Sequence, residues 1–224
     1  MATGERDGLV RRGVAGLATG SRWLNANLPW LIGLVVAGAA VVVVATQLWQ
    51  AVTGDSASVV VYPAEDATLD RLAAADLPPG TELTVDGWTD GLRLHVADVS
   101  LPLRLLASGA TVTGALLIGI GGLLSASMAR YLLAGRPFAP RVRSAMLGLA
   151  LVFLAGSFLP ASVDAVASAV LLEVSGVMER SVGLYSAVVL RFSVGAVLAA
   201  VFLGVLSQAF WHGQRLERDV EGLV

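Results

Sequence analysis

Arg130-Tyr131-Leu132-Leu133-Ala134-Gly135-Arg136-Pro137-Phe138-Ala139-Pro140-Arg141-Val142-Arg143 is the stretch whose reading decides the fold of this 224-residue chain. A long apolar run ends at its left edge and another starts at its right edge. It holds four arginines and no acid in fourteen residues. Arginine clusters in short loops resist translocation, so the turn is expected in the cytoplasm, and that assignment orients every other segment. Gly135 and Pro137 are expected to end one helix and reset the chain for the next. Phe138 is expected to plug the inner mouth of the bundle.

To the left, 103–129 is an apolar, Gly-rich run that reads as a second transmembrane helix, with Arg104 snorkelling at its outer edge. Gly121, Ser125 and Ala129 recur at spacing four, the pattern that lets transmembrane backbones approach closely. Before it, residues 50–102 carry nine acids among short alternating segments. Ser58–Tyr62 reads as a strand. Thr81–Asp86 and Leu92–Val96 flank Gly87–Gly91, a hairpin signal with a loop of about five residues. The expectation is a small β-containing extracytoplasmic domain that leans on helix ends, because about fifty residues bury too little to be stable alone. Leu28 to Leu48 has no charge, and about twenty residues at ~1.5 Å each span the hydrocarbon core. Trp23, Trp30 and Trp49 flank it as interfacial aromatics. Residues 1–27 form a polar leader.

To the right, 144–160 is a third, short span ending at Pro160. In 161–183, Val163, Val166, Val170, Leu171, Val174 and Val177 recur at helical spacing, which predicts an amphipathic helix lying on the outer interface or on the bundle. Residues 184–208 read as the fourth span, with small residues at Gly195, Ala199, Ala200 and Gly204, and 209–224 as a cytoplasmic tail. The proposed inside segments hold ten arginines and the outside segments five, which places both termini inside.

Composition agrees with this layout. The chain is 56% hydrophobic and only 14% charged, with a mean hydropathy of +0.76; soluble domains carry about 25% charged residues. With no cysteine, disulfides, thiolate metal sites and cysteine nucleophiles are excluded. The two histidines, His95 and His212, fall on opposite sides of the expected membrane, so no metal site is expected and no cofactor is implied. Ser100, His95 and Asp98 lie within six residues with nothing to form an oxyanion hole, so no catalytic residues are assigned and the chain is not expected to be an enzyme. No ionisable group sits near the middle of a span. Arg191, about two turns into the fourth, is the one candidate polar contact in the membrane, and a snorkelling or loop-paired interfacial arginine is its simpler reading.

Gly135-Arg136-Pro137-Phe138 followed by Arg141 and Arg143 resembles the signature of the domain of unknown function 2975 family. The tail Phe210-x-x-Gly213-x-x-Leu216-x-x-Asp219-x-Glu221-Gly222-Leu223-Val224 is similar to the ending common in that family. The resemblance covers nearly the whole chain after the leader; Trp211-His212 and the leader depart from it. It implies a four-helix protein of the bacterial cytoplasmic membrane, with a small helix-turn-helix regulator as an associated partner. Asp219 or Glu221 is further expected to face Arg141 or Arg143, docking the tail on the turn.

The expected fold is therefore an all-α membrane protein with four transmembrane helices and a small β-containing extracytoplasmic domain between the first and second. Its partners are the lipid bilayer and a protein, either a regulator or a transporter, with no direct nucleic acid binding. The expected function is non-enzymatic signalling or interaction; the alternative is an auxiliary subunit of a transporter or channel.

Overall fold

The computed structural model describes residues 3–63, 77, 79–85, 92–137, 139–177, 185–186 and 192–221, with side chains described at most of those positions between 27 and 215. The chain order is α1 (Thr3–Thr53), β1 (Ser56–Pro63), β2 (Thr81–Val85), β3 (Leu92–Ala97), α2 (Leu101–Leu133), α3 (Pro140–Val174), β4 (Tyr185–Ser186) and α4 (Val194–Glu221). Among the described residues, four helical segments are long and apolar enough to cross a membrane: Asn27–Thr53, Leu101–Leu133, Pro140–Val174 and Val194–Gly213. The expected leader and first span belong to one helix.

The extensive helix contacts run α1 on α2, α2 on α3 and α3 on α4, so the helices stand in a row in chain order. The α1–α2 seam is built from small residues. A Cβ on Gly33 would run into Ala126 and the Gly122 carbonyl, one on Gly122 would lie 2.7 Å from Val36, and one on Gly119 would lie 3.0 Å from Ala40. Close backbone approach multiplies dispersion contacts that hydrophobicity cannot supply between helices in lipid. The α1–α2 seam therefore uses Gly119, Gly122 and Ala126, and the expected row of Gly121, Ser125 and Ala129 lies on another face of α2. Gly121 faces the other way, toward Val152 of α3, and Ser125 is exposed. Away from the seams the spans expose large apolar side chains, Val35 at 71% and Leu198 at 64% among them.

The expected hairpin is present. β2 pairs antiparallel with β3 in the register Val85↔Leu92 to Thr81↔Val96, and β3 pairs with β1 from Ser56↔Ala97 to Val61↔Leu92. This three-stranded sheet, in the order β2-β3-β1, is extended by β4, which pairs Ser186 with Tyr62 and Tyr185 with Pro63. Tyr185–Ser186 was expected to open the fourth span; backbone pairing with the edge of β1 claims it instead, and the fourth helix begins at Val194.

The sheet is seated on the helices. Ala57, Val59, Val61 and Leu94 form one core with Ala167, Leu171, Leu172 and Val177, flanked by Leu103, Leu106 and Ala107 of α2. Burying a Leu of this kind contributes roughly 1.5–3 kcal/mol. The Ser168 hydroxyl also donates to the Val60 carbonyl at 3.1 Å. Of the helix expected on the outer interface or on the bundle over 161–183, residues 178–183 lie outside the described residues, and 161–174 are the continuation of α3, which passes through Pro160 without ending. Its 35 residues, at ~1.5 Å each, exceed a hydrocarbon core of about 30 Å, and the surplus carries the sheet. Of the periodic set, Leu171 and Val177 join the sheet core and Val163 packs beside Gly109 of α2, while Val166 and Val174 are 53% and 64% exposed. The Pro160 ring lies beside Gly114 of α2, 4.0 Å from where a Cβ there would stand. Short connectors complete the join: Gly54-Asp55 between α1 and β1, and Asp98 to Ser100 between β3 and α2. Asp98 takes a positive φ of 56°, a conformation Asp tolerates better than most residues.

Candidate functional site at the two ends of the helices

The structure places polar chemistry at both ends of the helix row. At the sheet end, Arg104, Ser108 and Thr111 follow one another at i, i+4 and i+7, so α2 turns a single polar face. That face, with Gln47 and Gln50 of α1, Arg93 of β3 and Asp164 of α3, lines a cavity of about 260 Å³. Asp164, with Thr111, also borders a neighbouring cavity of about 390 Å³ reached by Tyr62, Ser157 and Ser193. The Nε of Arg104 is buried and has no hydrogen-bond partner. A buried guanidinium N–H left unsatisfied is costly, so this junction is suited to a polar or anionic guest. The Ser157 hydroxyl donates to the Ser193 carbonyl at 3.2 Å, which ties the start of α4 to α3 beside the second cavity.

At the opposite end the turn is closed by Gly135. It adopts φ 69°, and its N–H donates to the Leu132 carbonyl while the Arg136 N–H reaches back to Tyr131, both at 3.0 Å. This is a Schellman cap, which satisfies the last carbonyls of α2 and needs a residue free to take positive φ. Pro137 follows, half-buried, and Pro140 opens α3 where its missing N–H costs nothing.

The arginines of the turn find aromatic partners. The Arg130 guanidinium lies 5.6 Å from the Trp30 ring of α1. Arg141 lies 5.9 Å from the Tyr131 ring, and its Nη1 donates to the Tyr131 hydroxyl at 2.6 Å. Arg143 lies 5.7 Å from Trp211 of α4, whose ring meets His212 edge-on at 4.9 Å. Trp30, Ser127, Arg130, Tyr131, Arg136 and Arg141 line a cavity of about 330 Å³. Among the described residues no three His, Asp or Glu side chains are grouped to hold a metal ion.

Of the residues singled out in sequence, Gly135, Pro137, Arg141 and Arg143 therefore meet at one end, joined there by Arg130 and Arg136. Phe210 and Gly213 lie on α4 near Trp211, and α4 continues through the backbone of Leu216, Asp219 and Glu221. Phe138, Gly222 and Arg191, and the side chains of Leu216, Asp219 and Glu221, lie outside the described residues, and with them the expected contact of the tail with the turn. Sequence reasoning missed Trp30, Tyr131 and Trp211 as arginine partners, because aromatic residues at span ends read first as interfacial anchors. It also missed the junction cavity, although the polar spacing of Arg104, Ser108 and Thr111 was a usable signal. In comparisons with known proteins, no family model, curated protein or solved structure matches the chain.

Proposed function

We propose that this chain is a non-enzymatic multi-pass membrane protein of the signalling or interaction class, with the sheet outside and the arginine turn and both termini in the cytoplasm. One observation carries the reading. The two helices that bracket the turn, α2 and α3, are the same two whose far ends hold the sheet, through Leu103, Leu106 and Ala107 on one and Ala167, Leu171 and Leu172 on the other. A ligand that repacks the sheet or fills the cavity beneath it shifts helices that end at the arginine cluster, and α4 follows through Arg143 and Trp211. Packed elements with discrete arrangements can carry such coupling. The arginine asymmetry supports the turn inside. The resemblance to the domain of unknown function 2975 family supports a bacterial cytoplasmic membrane, and a small helix-turn-helix regulator as the protein that reads the inner end.

The test is purification of the full chain in mild detergent from its native cells, with identification of stoichiometric partners. A cytoplasmic regulator lost on deletion of residues 209–224 is expected. A second reading, an auxiliary subunit of a transporter or channel, is favoured by the row arrangement, since α1 and α4 each pack extensively on a single helix. A transporter retained through the helices after the same deletion would replace the first reading with the second.

A further inference from the structure

We propose that the turn end holds a binding site for the anionic phosphate headgroup of a membrane lipid. The proposal stands on the cavity of about 330 Å³ between α1, α2 and the turn, whichever functional reading holds. Three of its lining residues, Arg130, Arg136 and Arg141, carry a positive charge, and none carries a negative one. Two of the three guanidinium groups are already held in place by ring faces, Arg130 by Trp30 and Arg141 by Tyr131. A ring occupies the face of a guanidinium and leaves its in-plane N–H donors available. Arg141 gives one of those donors to the Tyr131 hydroxyl. The rest form the edge-on array that matches phosphate oxygens.

A lipid is favoured over a free anion by what adjoins the cavity. Leu34, one turn along α1 from Trp30, is 46% exposed, and Leu123, one turn along α2 from Ser127, is 36% exposed. An amphiphile with its phosphate among the arginines can lay acyl chains along these side chains. Basic pockets between membrane helices hold anionic headgroups by this division of labour.

The experiment is native mass spectrometry of the full-length protein, delipidated in detergent and titrated with phosphatidylglycerol, phosphatidylcholine or inorganic phosphate. Phosphatidylglycerol is expected to bind about tenfold more tightly than phosphatidylcholine, and Arg130→Gln/Arg141→Gln to remove about tenfold of that affinity. Arg136→Gln, at an exposed position of the turn, is expected to weaken binding in the same direction with the fold intact. Arg215→Gln removes the same charge from an exposed position on α4 and is expected to change affinity less than about twofold. Equal retention of the two lipids, or an equal loss in Arg215→Gln, would overturn the site as diffuse surface charge. Displacement of phosphatidylglycerol by millimolar inorganic phosphate would overturn the lipid as its occupant.

Discussion

Gly33 shows how much of this fold rests on single positions where a side chain is absent. Any Cβ there meets Ala126 and the carbonyl of Gly122, which is backbone and cannot rotate away. Gly33→Ala should therefore lower stability by about 1–3 kcal/mol as an overpacking change. Gly38, five residues on in the same helix, has nothing within 4 Å of its would-be Cβ. Gly38→Ala should be neutral or stabilising by up to about 1 kcal/mol, since alanine is the better helix former. Thermal unfolding of both variants in the same detergent separates them; equal shifts would remove the seam from the account. Leu94, with no exposed surface, belongs to the core between the sheet and the helices, and Leu94→Ala should cost about 2–5 kcal/mol there. That loss is expected as faster hydrogen exchange in β1 and β3, with α1 unaffected. At this scale the sequence was partly legible. Small residues announced that helices approach closely, but which face of α2 meets α1 depends on the partner's Gly33, Val36 and Ala40. No pattern within α2 alone specifies those.

Among the elements, the turn and α3 are where local signals and tertiary packing part company. The Schellman cap at Gly135 is written in local chemistry: a glycine after the last apolar turn, then a proline. A Cβ at Gly135 meets nothing within 4 Å, so Gly135→Ala tests backbone conformation alone. It should cost about 1–2 kcal/mol for holding a β-carbon at positive φ, with Gly135→Asn costing less; a neutral Gly135→Ala would contradict the cap. The two strands of the hairpin were legible for the same reason, since apolar residues alternate in both, but their offset was not: the expected loop of about five residues would set residue 86 opposite Leu92, and Val85 stands there instead. α3 was not legible. Pro160 is a strong stop signal, and the helical spacing of Val163 to Val177 is compatible with a helix in any orientation. Only the sheet, supplying Val59, Val61 and Leu94 as partners, makes an axial continuation the better burial. Hydrogen exchange should then show unbroken protection on both sides of Pro160. Rapid exchange confined to residues 161–164 would mean that two helices meet there at a break.

At the scale of the whole molecule, charge and packing tell one story. The described side chains at the turn end include Arg130, Arg136, Arg141 and Arg143, and those at the sheet end include Asp55, Glu82, Asp98 and Asp164. The spans between them expose Val, Leu and Phe side chains and bury small ones. This segregation was the most legible property of the sequence, because it depends on composition along the chain and not on which side chains touch. The row order of the helices was hidden, since loop lengths and hydropathy constrain neighbours weakly. The central claim is that the sheet and the arginine turn lie on opposite faces of one membrane, joined by α2 and α3. The chain contains no cysteine, so a single introduced thiol reports alone. Thr84→Cys on β2 and Ala134→Cys in the turn, both exposed positions, should be compared for labelling by a membrane-impermeant maleimide in intact and in lysed cells. The account predicts that position 84 is labelled in intact cells and position 134 only after lysis. Labelling of both positions, or of 134 alone, in intact cells would contradict it.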